Sequence, residues 1–265
     1  MTVIFQLHCL VMIKDILYEL QTGRSTIGDL DRFYIEPEKI VSVCNRIRSL
    51  FFPEHFPLRS SEPDTLNSIR EDLNRQILRV DLDYQRITNE FMDRLPKIQQ
   101  MVYKDLTAIY NGDPSAKTCT EIILSFPGFL AILFHRIAHE FYELDVPILP
   151  RLISEHVHEK TGIDIHPGAK IGESFCIDHG TGVVIGETAV IGDHVRIYHG
   201  VTLGVRNFRK DEDGNLLKGG KRHPNIGNRV IIYANATILG GDTFIKDDSV
   251  IPAGSMILHT PETFL

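Results

Sequence analysis

From residue 165 onward the chain keeps returning an aliphatic side chain every six positions. One series runs Ile165, Ile171, Ile177, slips by two residues, and resumes as Ile185, Ile191, Ile197 and Leu203. A second runs Ile226, Ile232, Ile238, slips by one, and continues Leu239, Ile245, Ile251 and Ile257. The next position is often glycine (Gly172, Gly186, Gly192, Gly204, Gly227), and small residues such as Ala169, Ala189, Ala236 and Ser255 stand four places after the aliphatic. An amphipathic helix repeats every three to four residues and a half-buried strand every two, so neither accounts for a sustained six. Six residues make a short strand plus a turn. Three such units close one triangular coil, with the aliphatics inward and glycine or asparagine easing the corners. The pattern predicts a parallel β-helix. Known coils of this kind wind left-handed, an exception to the usual crossover rule.

The first part of the chain follows a different grammar. The stretch from Ser61 to Met101 is charged, with Leu66, Ile69, Leu73, Ile77 and Val80 on one helical face. A second helical stretch, Glu121 to Leu144, is interrupted at Phe126-Pro127-Gly128. Beyond the proline, Phe129, Leu130, Leu133, Phe134, Ile137, Ala138 and Phe141 make a broad apolar face suited to other helices or other subunits. A third helix is predicted from Leu149 to Glu159, and the six-residue period begins after Thr161-Gly162. The fold class is therefore α+β: a helical domain over residues 1–160 followed by a β-helix domain over residues 161–265, the helices covering the otherwise open end of the coil.

Composition narrows the partners. The 265 residues carry a net charge of −7 with no sustained basic stripe, which argues against nucleic acid. The cysteines, Cys9, Cys44, Cys119 and Cys176, are scattered and form no CxxC pair, as expected of reduced thiols in a cytoplasmic protein. The apolar start from Val3 lacks a basic leader and a small-residue cleavage site, and reads as a buried helix start or as an upstream false start with Met12 the true initiator. No apolar run reaches membrane-span length.

Chemistry is expected where the repeat breaks. The first break is Ile177-Asp178-His179-Gly180-Thr181-Gly182; the second is the excursion from Val205 to Pro224, which ends Arg222-His223-Pro224. Coils of about eighteen residues stack at roughly 4.8 Å, so residues fifteen to eighteen apart come into contact range. Asp164 precedes His179 by that spacing, and a carboxylate–imidazole hydrogen bond would fix the tautomer and stabilise an imidazolium, as a general base requires. A cysteine or serine nucleophile is the weaker reading, because Cys176 occupies a regular repeat position.

These motifs resemble serine O-acetyltransferase. The resemblance rests on Ile163-Asp164-Ile165-His166-Pro167-Gly168-Ala169-Lys170-Ile171-Gly172, on Asp178-His179-Gly180-Thr181-Gly182, on Ile185-Gly186-Glu187-Thr188-Ala189, on Val201-Thr202-Leu203-Gly204 and on Arg222-His223-Pro224. It extends upstream through Gly112-Asp113-Pro114 and His135-Arg136-Ile137-Ala138-His139. It implies acetyl transfer from acetyl-CoA, as co-substrate, to the L-serine hydroxyl, the first step of cysteine biosynthesis, with no metal. His179 would be the base, oriented by Asp164, with His223 a second imidazole at the reacting centre. Arg222 would meet the substrate carboxylate, and Asp113 and Asp178 the ammonium. Backbone near Gly204, Ala234 and Ala236 would line the pantetheine groove. Triangular prisms of this kind usually trimerise, and the resemblance implies that the helices of residues 1–160 join trimers into a dimer of trimers; it also implies serine-competitive feedback by L-cysteine.

Two other activities fit the coil alone. One is a hexapeptide-repeat acetyltransferase acting on a sugar or another acceptor. The other is a hydratase like the γ-class carbonic anhydrase, in which His194 and His199 would join His179 or His223 around a metal. Neither accounts for both Asp178-His179-Gly180-Thr181-Gly182 and Arg222-His223-Pro224. The chain departs from the resemblance in a longer excursion and in ending at Pro261-Glu262-Thr263-Phe264-Leu265, without a recognisable tail for docking to O-acetylserine sulfhydrylase.

Overall fold

The computed structural model describes residues 34–261. The apolar start, Cys9 and the choice between Met1 and Met12 lie outside those residues. Among the described residues, 35–261 form one compact unit. Its helices are α1 (Pro37–Phe51), α2 (Glu62–Ile77), α3 (Tyr84–Gly112), α4 (Cys119–Ser125), α5 (Pro127–Glu143) and α6 (Leu149–Thr161). Local chemistry sets their ends. The Ser61 hydroxyl accepts the Asp64 N–H at 3.3 Å to start α2, and the Thr118 hydroxyl caps α4 through the Glu121 N–H at 3.1 Å. Pro127 opens α5, where its missing N–H costs nothing. Gly162, at φ 68°, ends α6 in the left-handed conformation and turns the chain into the coil.

The coil then winds through three parallel sheets. Face one holds β1 (Asp164–Ile165), β4 (Val184–Ile185), β7 (Thr202–Gly204), β10 (Thr237–Leu239) and β13 (Met256–Ile257). Face two holds β2 (Lys170–Ile171), β5 (Val190–Ile191), β8 (Asn225–Ile226) and β11 (Phe244–Ile245). Face three holds β3 (Cys176–Ile177), β6 (Arg196–Ile197), β9 (Ile231–Ile232) and β12 (Val250–Ile251). This is the left-handed parallel β-helix that the six-residue period predicts. The inward aliphatics from Ile165 to Ile251 are buried, while Ile257 in the last coil is only partly covered. At the one-residue slip Ile238 takes the inward place and Leu239 turns partly outward.

Helices and coil share one continuous core running from Ile40 to Ile251. A buried ion pair stitches them. Arg136 of α5 donates to both carboxylate oxygens of Asp105 on α3, at 2.9 and 3.0 Å, and also to the carbonyls of Ile171, at 2.5 Å, and Gly172, at 2.6 Å. Asp105 accepts the Phe175 N–H at 2.8 Å. In the next coil the Ile191 carbonyl accepts the Gly172 N–H; the first coil has no preceding coil to serve Ile171 in that way, so the guanidinium takes its carbonyl instead.

No single helix among the described residues is long and apolar enough to cross a membrane. The α4–α5 pair, bent by 74°, passes the same test jointly, but α5 is largely core. Cys44 and Cys176 are buried free thiols, and Cys119 is exposed.

Candidate active site

Two groups of polar side chains stand on two different corners of the prism. The first occupies the corner between faces three and one. There the two-residue slip makes a wide turn, with His179 at φ 58° and Gly180 at φ 94°. A Cβ on Gly180 would lie 2.4 Å from Ile163 Cδ1, so glycine is needed to pass the core while His179 is thrown outward. The His179 side chain is 74% exposed, with Nε2 3.7 Å from Asp178 Oδ1 and its ring centre 5.8 Å from that of His199.

Asp113, at the end of α3, adds a carboxylate to this corner. Burial alone would raise it, but hydrogen bonding from Ser115 and the charges of His179 and Arg196 hold it below the ordinary carboxylate value. Arg196 on β6 anchors the end of α3 by donating to the Gly112 carbonyl.

The expected Asp164–His179 hydrogen bond is not formed. Asp164 stands in register with Val184, beyond the wide turn, and its carboxylate lies within 4.8 Å of ligand-type atoms of Glu155 and His158 on α6. The slip that projects His179 places it beside Asp178 instead, with Nε2 3.7 Å from the Asp178 carboxylate. Cys176 is buried on β3 and its thiol is pushed up to about 12, chiefly by burial, which leaves it no thiolate for nucleophilic chemistry.

The second group occupies the corner between faces one and two. His223 lies over Gly186, where a Cβ would fall 2.0 Å from the ring. Its Nδ1 accepts the Thr188 N–H at 3.1 Å and lies 2.9 Å from Thr188 Oγ1. Arg222 donates to Glu187 Oε2, and Glu187 Oε1 accepts the Tyr142 hydroxyl of α5 at 2.9 Å. Burial would raise Glu187, but these two donors hold it below its ordinary value. The excursion bounds a cavity of about 1060 Å³ with Glu187 and Arg222 in its wall. Of the excursion's cations, Arg206 is committed to both Asp242 oxygens at 2.9 Å and Lys221 to the Thr188 carbonyl at 2.6 Å.

The backbone positions expected to line a pantetheine groove divide between the corners. Gly204 ends β7 on the second corner, and its carbonyl accepts the Gly240 N–H at 3.1 Å. Ala234 and Ala236 stack above His179 on the first corner. Ala236 is fully buried, and its backbone is already bonded to Tyr233 and Thr202, so Ala234 is the more open of the two. His194 sits on the third corner, between β5 and β6, apart from His199.

Burial pushes His166 and His223 down to about 4, so both imidazoles are neutral in the fold. An unperturbed histidine titrates at 6.5, and the unfolded chain therefore takes up protons first as pH falls. The sign follows: the stability these neutral rings contribute is complete above 6.5 and is lost as pH drops from 6.5 towards 4. Thermal melts stepped down through that window should show a falling midpoint, with a shallower slope in His223→Gln.

A hexapeptide coil with an exposed imidazole on one corner and a guanidinium–imidazole pair on the next defines an acyltransferase-type β-helix. Residues 63–133 match the family model described as serine acetyltransferase, N-terminal. The plasmid serine acetyltransferase of Synechococcus elongatus is 42% identical over 264 residues, spanning 86% of this chain and 83% of that protein. The native serine acetyltransferase 1 of Entamoeba histolytica superposes with a TM-score of 0.76 at 35% identity, over 89% of this chain and 87% of that one. The same enzyme in complex with L-cysteine gives a TM-score of 0.71 at 33% identity, over 91% and 94%. The chain belongs to the serine acetyltransferase family.

Proposed function

We propose that this chain transfers the acetyl group of acetyl-CoA to the hydroxyl of L-serine, giving O-acetyl-L-serine and CoA. The observation that carries the reading is the pair of half-sites: an exposed imidazole beside carboxylates on one corner, and a positioned guanidinium–imidazole pair on the next. In the reaction His179 takes the serine hydroxyl proton as the oxygen attacks the thioester carbonyl. The new C–O bond forms, the C–S bond breaks, and the proton passes from His179 to the departing thiolate. His223, neutral through the physiological range, suits donation to the developing oxyanion rather than proton removal. Arg222 matches the serine carboxylate through paired donors, and Asp113 and Asp178 match its ammonium. Gly204, Ala234 and Ala236 mark the walls along which the pantetheine arm would run. Asp164 remains the carboxylate that sequence spacing assigns to His179, and Asp178 the one nearest it.

Within one chain the half-sites stand on different corners, so a working site needs the first corner of one subunit against the second corner of another. Three prisms around an axis satisfy that requirement, with residues 1–160 as the assembly domain that would pair trimers and residues 161–265 as the catalytic domain. The buried and unpaired state of Cys44 and Cys176 suits a reducing, cytoplasmic setting.

The reading is tested by thiol release from acetyl-CoA with L-serine, against glycine, a sugar acceptor and no acceptor. Release that does not depend on serine would overturn it. Mixing denatured His179→Ala and His223→Ala subunits and refolding them together should restore a fraction of wild-type turnover, since some interfaces then carry both intact halves. Mixed protein as inactive as either parent would contradict the shared site.

A further inference from the structure

We infer that Thr188 is the positioning residue of the site, setting the Arg222-His223 segment and fixing His223 as its Nε2–H tautomer. The inference rests on the proposed role of His223 at the substrate. Every polar group of Thr188 is committed to the end of the excursion. Its carbonyl accepts Lys221 Nζ at 2.6 Å, and its hydroxyl oxygen accepts the Arg222 N–H at 2.9 Å and the His223 N–H at 3.1 Å. A hydroxyl has two acceptor lone pairs and one proton. With both lone pairs taken, its proton is left for His223 Nδ1 at 2.9 Å.

The backbone makes the tautomer argument stronger. The Thr188 N–H reaches the same Nδ1 at 3.1 Å, and an amide N–H can only donate. Nδ1 must therefore present its lone pair, and the ring proton resides on Nε2. That nitrogen lies above Gly186, where a Cβ would come within 2.0 Å, and it has no hydrogen-bond partner among the described residues. The result is one donor without a protein partner, seated where only glycine at 186 leaves room for the ring. Glu187 does the matching work for the adjacent side chain by holding Arg222, so two consecutive residues template the two groups that meet substrate.

The test begins with wild-type protein labelled with ¹⁵N-histidine, with the His223 resonances identified by their loss in His223→Gln. A pyridine-type signal at Nδ1 with a protonated Nε2 is expected, and a protonated Nδ1 would overturn the inference whatever the kinetics. Thr188→Val keeps the shape and the backbone N–H but removes the hydroxyl. It should lower kcat about 10- to 100-fold through misplacement of His223 while the serine KM moves less than about threefold. Thr188→Ser, which restores the hydroxyl, should recover most of the turnover. Wild-type turnover in a folded Thr188→Val protein would sink the positioning role. Full turnover in His223→Gln would instead remove the reading of His223 as a substrate group and leave the tautomer assignment standing.

Discussion

Removing the His179 imidazole should abolish most serine-dependent thiol release, a loss of about 10²- to 10⁴-fold in kcat, the range for a positioned general base. Fold damage should not confuse the result, because the side chain is 74% exposed and contributes little packing. The backbone does impose one condition. At φ 58° the residue is left-handed, where alanine is strained and asparagine is at ease. His179→Asn is therefore the cleaner variant, and equal losses in His179→Ala and His179→Asn with matching melting curves would assign the loss to chemistry. The same assay separates the carboxylates. If Asp178 orients the ring, Asp178→Asn should lower kcat at saturating serine more than Asp164→Asn does, whereas a role at the ammonium alone would raise the serine KM; the reverse order in kcat would mean that Asp164 leaves Glu155 and His158 to reach His179 during reaction. A His179→Asn enzyme within tenfold of wild type would exclude it as the base.

Asp105→Ala should be among the most destabilising single changes in the described residues. It strands a guanidinium that is 7% exposed, and breaking a buried ion pair from one side costs about 3–5 kcal/mol. At about 2–4 °C per kcal/mol for a chain of this size, the melting midpoint should fall by roughly 10 °C. The double variant Asp105→Leu with Arg136→Met removes both charges, and for a simple ion pair that replacement is often near neutral. Here a residual loss is expected, because the Ile171 carbonyl loses the donor that stands in for a preceding coil, at about 1–3 kcal/mol for a stranded group. A double variant as stable as wild type would show that the guanidinium only neutralises Asp105.

Much of the site was legible as motif and little as arrangement. His179 and Gly180 announce themselves because they interrupt the period, and Arg222-His223-Pro224 because it closes the excursion. Glu187 and Thr188 were legible only as members of the Ile185-Gly186-Glu187-Thr188-Ala189 motif, with no role attached to either. They sit at an ordinary corner after Ile185-Gly186, and their partners lie across an excursion that erases any spacing rule. Tyr142 was legible only as a member of a helix and Arg136 only as part of a motif on it, since what each reaches depends on how that helix lies against the first coil. The Asp164–His179 hydrogen bond is absent for a related reason: the fifteen-residue spacing gives contact only in a regular coil, and the coil is irregular at that place.

The sequence by itself determined the coil, its corners and its inward residues, because a six-residue alternation of apolar and polar positions has one stable solution in water. It also determined where the helices stop, through Pro127, Gly162 and the hydroxyl caps. Only the tertiary structure decided that His179 and His223 stand on different corners, that His179 faces Asp178, and that His223 is neutral with its free proton on Nε2. Those outcomes depend on register between coils and on burial, which are set by contacts among residues far apart in the chain and leave no period to read.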